Sequence, residues 1–428
     1  MHRRPACVDR RSPLPYDPRV PTNMTAARAS DGSRPVLFLT VFIHLLGFGI
    51  IIPLLPYYAV TYGASGLTVG LLTTSFSLMQ FLFAPLWGRL SDRIGRRPVL
   101  IGSLLVTGVS YVAFATATSL SMLFASRMLA GAAGAVISTA QAYVADTTSQ
   151  ADRTKAMGLI GAAFGMGFIF GPAMGGALSH WGFAVPAYAA AALALVAALF
   201  AFFRLRESLP REVRARRAAG QRGGGVTMFG ALRRPRIGPV LVTFFTATLC
   251  FAGMEAVLAL FCKRTYGLGP NHIGYLLAYV GVVAATLQAG FVGVLVKRFG
   301  ERTLARVGLL LIGAGFVASG LAPPFVLFLA AMGAVAVGSG LSNPTLSGLV
   351  SIATAPEEQG SILGFYQSLG SLARAVGPFL GGLTFDHVGP GAPLWLAGAL
   401  LGGLVLYAAR LPARERQTAP AVSHGGGD

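Results

Sequence analysis

Charge is what this sequence has least of. Asp, Glu, Lys and Arg make up 11% of it, against roughly 25% in soluble domains. A chain this poor in charge cannot cover a globular surface with polar groups, so soluble readings are set aside, nucleic-acid binding among them. The formal net charge of +19 does not restore that reading, because the basic residues fall in short segments between apolar runs and gather on no single face. Cysteine is equally scarce. Cys7, Cys250 and Cys262 show neither metal-ligand spacing nor an evident pairing, which argues against a zinc site and a disulfide scaffold. His2, His180, His272, His387 and His424 lie in tails or loops without ligand spacing. No GxxxxGK[ST] run occurs, so the chain does not drive its own work with ATP. Its apolar runs hold no grouped nucleophile, metal ligands or paired acids, so it is not expected to be an intramembrane enzyme. Neither a cofactor nor a metal is expected. No apolar core of a signal peptide precedes Val36.

What is present in abundance is apolar length. Hydrophobic residues make up 54% of the chain and its mean hydropathy is +0.65. Many runs exceed the ~20 residues that cross the hydrocarbon layer. Spans are expected near 35–60, 68–88, 98–118, 122–145, 156–179 and 184–203, then near 237–262, 271–296, 303–321, 325–350, 361–385 and 391–410. The chain therefore divides into a tail over 1–34, a six-helix bundle over 35–203, a basic connector over 204–236, a second bundle over 237–410 and a tail over 411–428. Both tails are expected to be disordered and the connector a flexible tether. Lys and Arg crowd one side: the tails, Arg89 to Arg97, the connector and Lys297 to Arg306, with Lys263 and Arg264 opposite. The excess of positive charge places that crowded side, with both termini, in the cytoplasm.

One stretch, Gly158–Leu178, explains how such helices meet. Gly158, Gly161, Gly165, Gly167, Gly171, Gly175 and Gly176 run through it, with Pro172 among them. In water each interior glycine costs about 0.5–1 kcal/mol and the proline about 3 kcal/mol. In lipid the same residues let a neighbouring helix approach closely enough for dispersion contacts to hold it. A near copy follows 206 residues on, where Gly377, Pro378, Gly381 and Gly382 repeat Gly171, Pro172, Gly175 and Gly176. The chain is a duplication. The turn between its second and third spans, Gly88–Pro98, is likewise echoed by Gly293–Arg302, with Lys297 in place of Asp92. Two duplicated bundles rocking about a shared site is the geometry of alternating access.

The same residues carry a resemblance. Gly88–Arg97 is similar to the cytoplasmic signature of the major facilitator superfamily, Phe124–Ala135 to its fourth-helix arginine motif, and Gly158, Gly167, Gly171, Pro172, Gly175 and Gly176 to the fifth-helix pattern of its antiporters. Gly47–Pro56 resembles the first-helix motif of the twelve-span drug/proton antiporters, tetracycline-efflux-like members above all. The resemblance spans residues 35–410. It implies an all-α fold of twelve transmembrane helices in two six-helix bundles related by pseudo-two-fold symmetry. It further implies a proton-coupled antiporter that exports a hydrophobic or amphipathic small molecule across a bacterial inner or plasma membrane. Tetracycline-type members commonly have an aspartate where this chain has His44. Uptake symport or exchange of a metabolite on the same fold is the alternative, and a receptor or scaffold without transport is a third reading. The expected partners are the small-molecule substrate, protons and the bilayer, with a monomer as the working unit.

Ionisable groups inside the hydrocarbon layer are costly, commonly ~2.5–3.5 kcal/mol each by insertion scales, and so mark function. His44, Arg127, Glu255 and Arg374 are the candidates for proton coupling. A structural reading stands beside each: a satisfied hydrogen-bonding histidine, a snorkelling arginine, or a locked ion pair between Glu255 and Arg374. Gly88, Asp92, Arg93, Gly95, Arg96, Arg97 and Asp146 form the expected cytoplasmic latch, which the resemblance assigns to the contact between the halves. Gln80, Gln141, Tyr143, Gln288, Asn343, Tyr366 and Gln367 are polar positions on apolar spans, about half of which are expected to line a central cavity.

Overall fold

The computed structural model describes residues 33–148, 150–209, 228–321, 323–354 and 358–411, and for 33–34, 150–159, 228–229, 289 and 359–361 their backbone alone. The expected tails, the middle of the connector and the packing of Gly158 lie outside the described residues. The described residues are mostly helical, and no strand occurs among them.

Ten helices are long and apolar enough to cross a membrane singly: Pro35–Thr61, Gly66–Ile94, Arg96–Ala115, Leu120–Thr147, Ile160–Trp181, Ala184–Arg204, Gly238–Tyr266, Glu301–Gly320, Phe325–Ala353 and Ala392–Arg410. The pair Pro270–Gln288 and Val292–Phe299, bent by 55°, makes one more. Gln359–His387, with 29 residues, completes the twelve. Arg374 and Asp386 within it set it apart from its more apolar neighbours. Numbered along the chain, the bent pair is the eighth span and Gln359–His387 the eleventh.

The local breaks have chemical causes. The first span turns at Pro53 between helices Ser33–Ile51 and Leu55–Thr61. Pro172 and Pro378 sit inside unbroken helices, because close neighbours shield the backbone group each proline frees. The second span continues six residues past the expected 88. Ser91, Asp92 and Arg93 are polar but helix-compatible, and the helix stops only at Gly95, whose φ of +112° favours a residue without a side chain. The seventh span likewise carries Lys263 and Arg264 as far as Gly267. There a left-handed φ of +67° closes the helix and its N–H bonds to the Lys263 carbonyl at 3.1 Å.

Small residues set the packing. A Cβ on Gly167 would meet Leu45, one on Gly171 would stand 2.7 Å from Gly49, and one on Gly175 would strike the Ile50 carbonyl, so the fifth span is seated on the first. The second half repeats this. Gly377 and Gly381 face Leu249 and Gly253, seating the eleventh span on the seventh. The other edge of each glycine helix reaches across to the opposite half, fifth to eighth and eleventh to second. Ridge contact this close is what replaces a hydrophobic driving force between helices in lipid.

Candidate functional site

The seam between the halves is shut at one end and parted at the other. At the shut end, a Cβ on Gly70 would fall on the Pro378 carbonyl and one on Gly382 on Gly66, while Gly176 faces Asn271 and Gly274. Thr74 donates to the Ala375 carbonyl at 2.7 Å and Tyr57 to that of Leu268 at 2.6 Å. The Asp386 carboxylate accepts the N–H groups of Gly66 at 2.9 Å and Leu67 at 2.7 Å. Eighteen residues make five turns of an α-helix, so Gly88 shares the face of Gly70, and Gly364 that of Gly382. Among the described residues, no atom of another element stands within 4 Å of where a Cβ on Gly88 or Gly364 would lie, and Gly161 and Gly165, on the eighth-span side of the fifth helix, are as open. The parted end is the one that carries Asp92 and the connector.

Helical geometry then decides what faces the interior. On the eleventh span, Gly377 and Gly381 point to the seventh, and Pro378 and Gly382 to the second. Between these directions lie Gln367, Ser371 and Arg374, and opposite them Phe379 and Leu380 are exposed, an apolar face suited to lipid. Gln367 and Arg374 are exposed and Ser371 half-buried. A polar stripe with accessible surface, on the side away from lipid, lines the space between the halves. By the same construction the fifth span presents Phe168, with Phe164 one turn before it and packed on the first-half core. These join a ladder with Phe48 and Phe76: ring centroids are 6.3 Å apart for Phe164 and Phe168, 6.0 Å for Phe168 and Phe48, and 5.4 Å for Phe48 and Phe76.

Glu255 on the seventh span is half-buried, and Arg374 is the charged group whose field reaches it. No ion pair and no hydrogen bond joins them; the guanidinium has Ser371 Oγ at 3.4 Å. The locked pair set beside the coupling reading is therefore not formed. By the 206-residue offset their counterparts are Gly49 and Phe168, so the duplicated site is ionic on one wall and aromatic on the other.

The remaining candidates fall in separate places. His44 on the first span has a buried Nδ1 without a hydrogen-bond partner, so the satisfied histidine of the structural reading is not found. Arg127 is 3% exposed, and its Nε and Nη2 are buried without partners. It neither snorkels nor meets a carboxylate. Its guanidinium lies 4.9 Å from the Phe114 ring centroid and 5.8 Å from that of Tyr111, two cation–π contacts. Among the polar set Gln288, Asn343 and Gln367 are exposed, and Gln80 and Gln141 half-buried, Gln80 lying over Gly134. Tyr143 and Tyr366 are buried. Tyr143 donates to the Arg206 carbonyl at 2.8 Å and Tyr366 stacks on Phe244 at 3.6 Å. These two hold protein to protein, which fits the expectation that only about half of the set lines the cavity.

The cytoplasmic-signature residues assemble within the first half. Arg96 bridges Asp92 at 2.7 Å and Asp146 at 3.0 Å, tying the second, third and fourth spans, while Arg93 is exposed. Glu207, absent from the sequence reading, accepts the N–H groups of Arg96 at 2.8 Å and Arg97 at 3.2 Å. It caps the positive end of the third helix. Gly95 is required beside it, because a Cβ there would strike that carboxylate. The start of the connector is thus docked on the bundle, and the tether reading is corrected for residues 205–209. The signal that could have found Glu207 is an acid 2–3 residues past a span end, facing a Gly-led helix start.

Comparison with known proteins completes the site. The model of the Major Facilitator Superfamily matches residues 37–318 and 283–426. Multidrug resistance protein 2 of Bacillus subtilis (strain 168) is 32% identical, over 82% of this chain and 88% of its own. The class B tetracycline resistance protein of Escherichia coli is 30% identical, over 88% of this chain and 94% of its own. The crystal structure of the human organic anion transporter MFSD10 (TETRAN) superposes with a TM-score of 0.68 at 25% identity, covering 90% of this chain and 99% of that one. Twelve duplicated spans meeting along glycine seams around a half-ionic, half-aromatic interior belong, on this match, to a member of the major facilitator superfamily.

Proposed function

We propose that the protein is a proton-coupled antiporter that exports a hydrophobic or amphipathic small molecule, working as a monomer without cofactor or metal and not as an enzyme. Two relatives named for multidrug and tetracycline resistance support export. The observation that carries the mechanism is Glu255, a carboxylate on a membrane span without a bonded counter-charge among the described residues, in an interior parted at one end. With the crowded arginines in the cytoplasm, that parting makes this the inward-facing form. Substrate enters from the cytoplasm or inner leaflet, and the seam at Gly70, Asp386 and Gly176 opens as the one at Gly88 and Gly364 closes. A proton from outside then neutralises Glu255 or His44, releases the substrate and favours return. Coupling follows because one acid cannot hold a proton and a cationic group at once.

The test is dye efflux in proteoliposomes with an imposed pH gradient, wild type beside Glu255→Gln and His44→Ala. Loss of gradient-driven flux in either supports the scheme. Unchanged flux in both removes these residues from coupling, and accumulation in place of depletion favours uptake.

A further inference from the structure

We propose that the interior site takes a zwitterionic aromatic substrate, with its cationic group at Glu255, its anionic group at Arg374 and its ring against Phe48, Phe76 and Phe168. This rests on the export reading above and narrows its substrate class. Three observations carry it. Glu255 and Arg374 lie within each other's field, yet no ion pair and no hydrogen bond joins them. Arg374 occupies the eleventh-span face turned away from lipid, with Gln367 and Ser371 along it. The opposite wall, built from the duplicated positions, has Gly49 and Phe168 where this wall has Glu255 and Arg374. It offers aromatic faces and no charge.

An isolated charge within the membrane is unfavourable, and two opposite charges that the protein leaves unbonded can each be completed by a ligand that carries both signs. A purely cationic substrate would satisfy Glu255 and leave Arg374 facing the cation. A purely anionic one would do the reverse. A molecule carrying both groups satisfies both, and its ring meets the ladder. The planar guanidinium favours a carboxylate, which it can engage with two parallel N–H bonds.

The experiment uses one xanthene scaffold in three charge states: a rhodamine with a free carboxylate, its methyl ester, and fluorescein. Binding to the purified full-length protein is read by fluorescence anisotropy near neutral pH. The free acid should bind about tenfold tighter than the ester, the size of one charge-assisted contact, and tighter than fluorescein. Arg374→Gln should lower the acid to the level of the ester while leaving the ester unchanged or improved. Arg374→Lys should keep part of the preference, and Glu255→Gln should weaken acid and ester alike but not fluorescein. Each conclusion is a ratio within one variant, so a partly unfolded preparation does not mimic it. Ester binding as tight as the free acid, equal losses of both in Arg374→Gln, or no measurable binding of the acid overturns the proposal. Absent efflux of all three dyes from vesicles would instead count against export, and efflux of the ester alone would keep export and sink this inference.

Discussion

Asp386, at the end of the eleventh span, holds the first two backbone N–H groups of the second: its two carboxylate oxygens lie 2.9 Å from Gly66 N and 2.7 Å from Leu67 N. One half of the molecule thus caps a helix of the other, and the contact exists only while this end is shut. Hydrogen bonds to a charged acceptor contribute about 1.5–3 kcal/mol each when buried, less when exposed as here. Asp386→Asn, which keeps one acceptor and loses the charge, should shift the balance towards the form open at this end by about fivefold, a shift of ~1 kcal/mol. Electron–electron distance measurements between spin labels at the ends of the second and eleventh spans will report it; unchanged distributions would show that the cap does not hold the seam.

Gly70 and Gly88 occupy the same helix face, one pressed on Pro378 and the other open. Val at Gly70 should obstruct the shut seam by about 1–3 kcal/mol, the range for overpacking, and populate the opposite form. Val at Gly88 should leave this form intact and block closure at its own end. Opposite changes in cysteine labelling at the two ends are the expected readout, and changes of the same sign would refute the seam assignment.

Arg127 is a buried cation held by two aromatic rings and no carboxylate. Replacing a buried charge with an apolar group of similar volume is often neutral or stabilising. Arg127→Met should therefore keep or raise the melting temperature in detergent while lowering gradient-driven efflux at least about tenfold, or ~1.4 kcal/mol in the barrier. A fall in both would mark the residue as structural.

Glu207 joins the end of the sixth span to the start of the third. Glu207→Ala should cost about 0.5–2 kcal/mol, the range for losing a cap, and lower the melting temperature. Glu207→Asp, one methylene shorter, should recover part of it. Equal melting of wild type and Glu207→Ala would show that the cap is dispensable.

Arg234 and Glu358 form a half-buried two-bond pair at 2.5 and 2.9 Å, joining the segment before the seventh span to the start of the eleventh. The hydrogen bond from Arg234 holds the Glu358 carboxyl below its ordinary value. An acid whose folded value is depressed contributes stability above its unfolded value and loses it as pH falls through the folded one. Glu358→Gln should therefore melt slightly below wild type near pH 7, with the gap closing once pH drops below the usual carboxylate range of about 4. A gap that persists in acid would rule out the ion pair as its cause.

Much of the fold could be read from the chain. The order and approximate limits of the spans, the duplication and the packing role of Gly167, Gly171 and Gly175 follow from composition and spacing, because lipid requires long apolar helices and small residues where they touch. The site was legible only in part. Glu255, Arg374 and His44 stood out as costly groups in apolar runs, yet nothing in the spacing showed that Glu255 and Arg374 stay unpaired. Which of the polar positions pack against protein was not legible either: Tyr143 meets the Arg206 carbonyl and Tyr366 the Phe244 ring, neighbours that spacing does not reveal. Glu207 was hidden in a run of connector residues.

The sequence by itself determined that this is a duplicated, twelve-span helical membrane protein, since hydropathy and glycine spacing are local properties that act before any helix meets another. Only the tertiary structure decided which end of the seam is shut, that Asp386 caps Gly66 and Leu67, and that an ionic wall faces an aromatic one. Those facts depend on residues hundreds of positions apart being brought within a few ångströms, and a one-dimensional pattern does not encode which of two nearly equivalent halves' surfaces will touch.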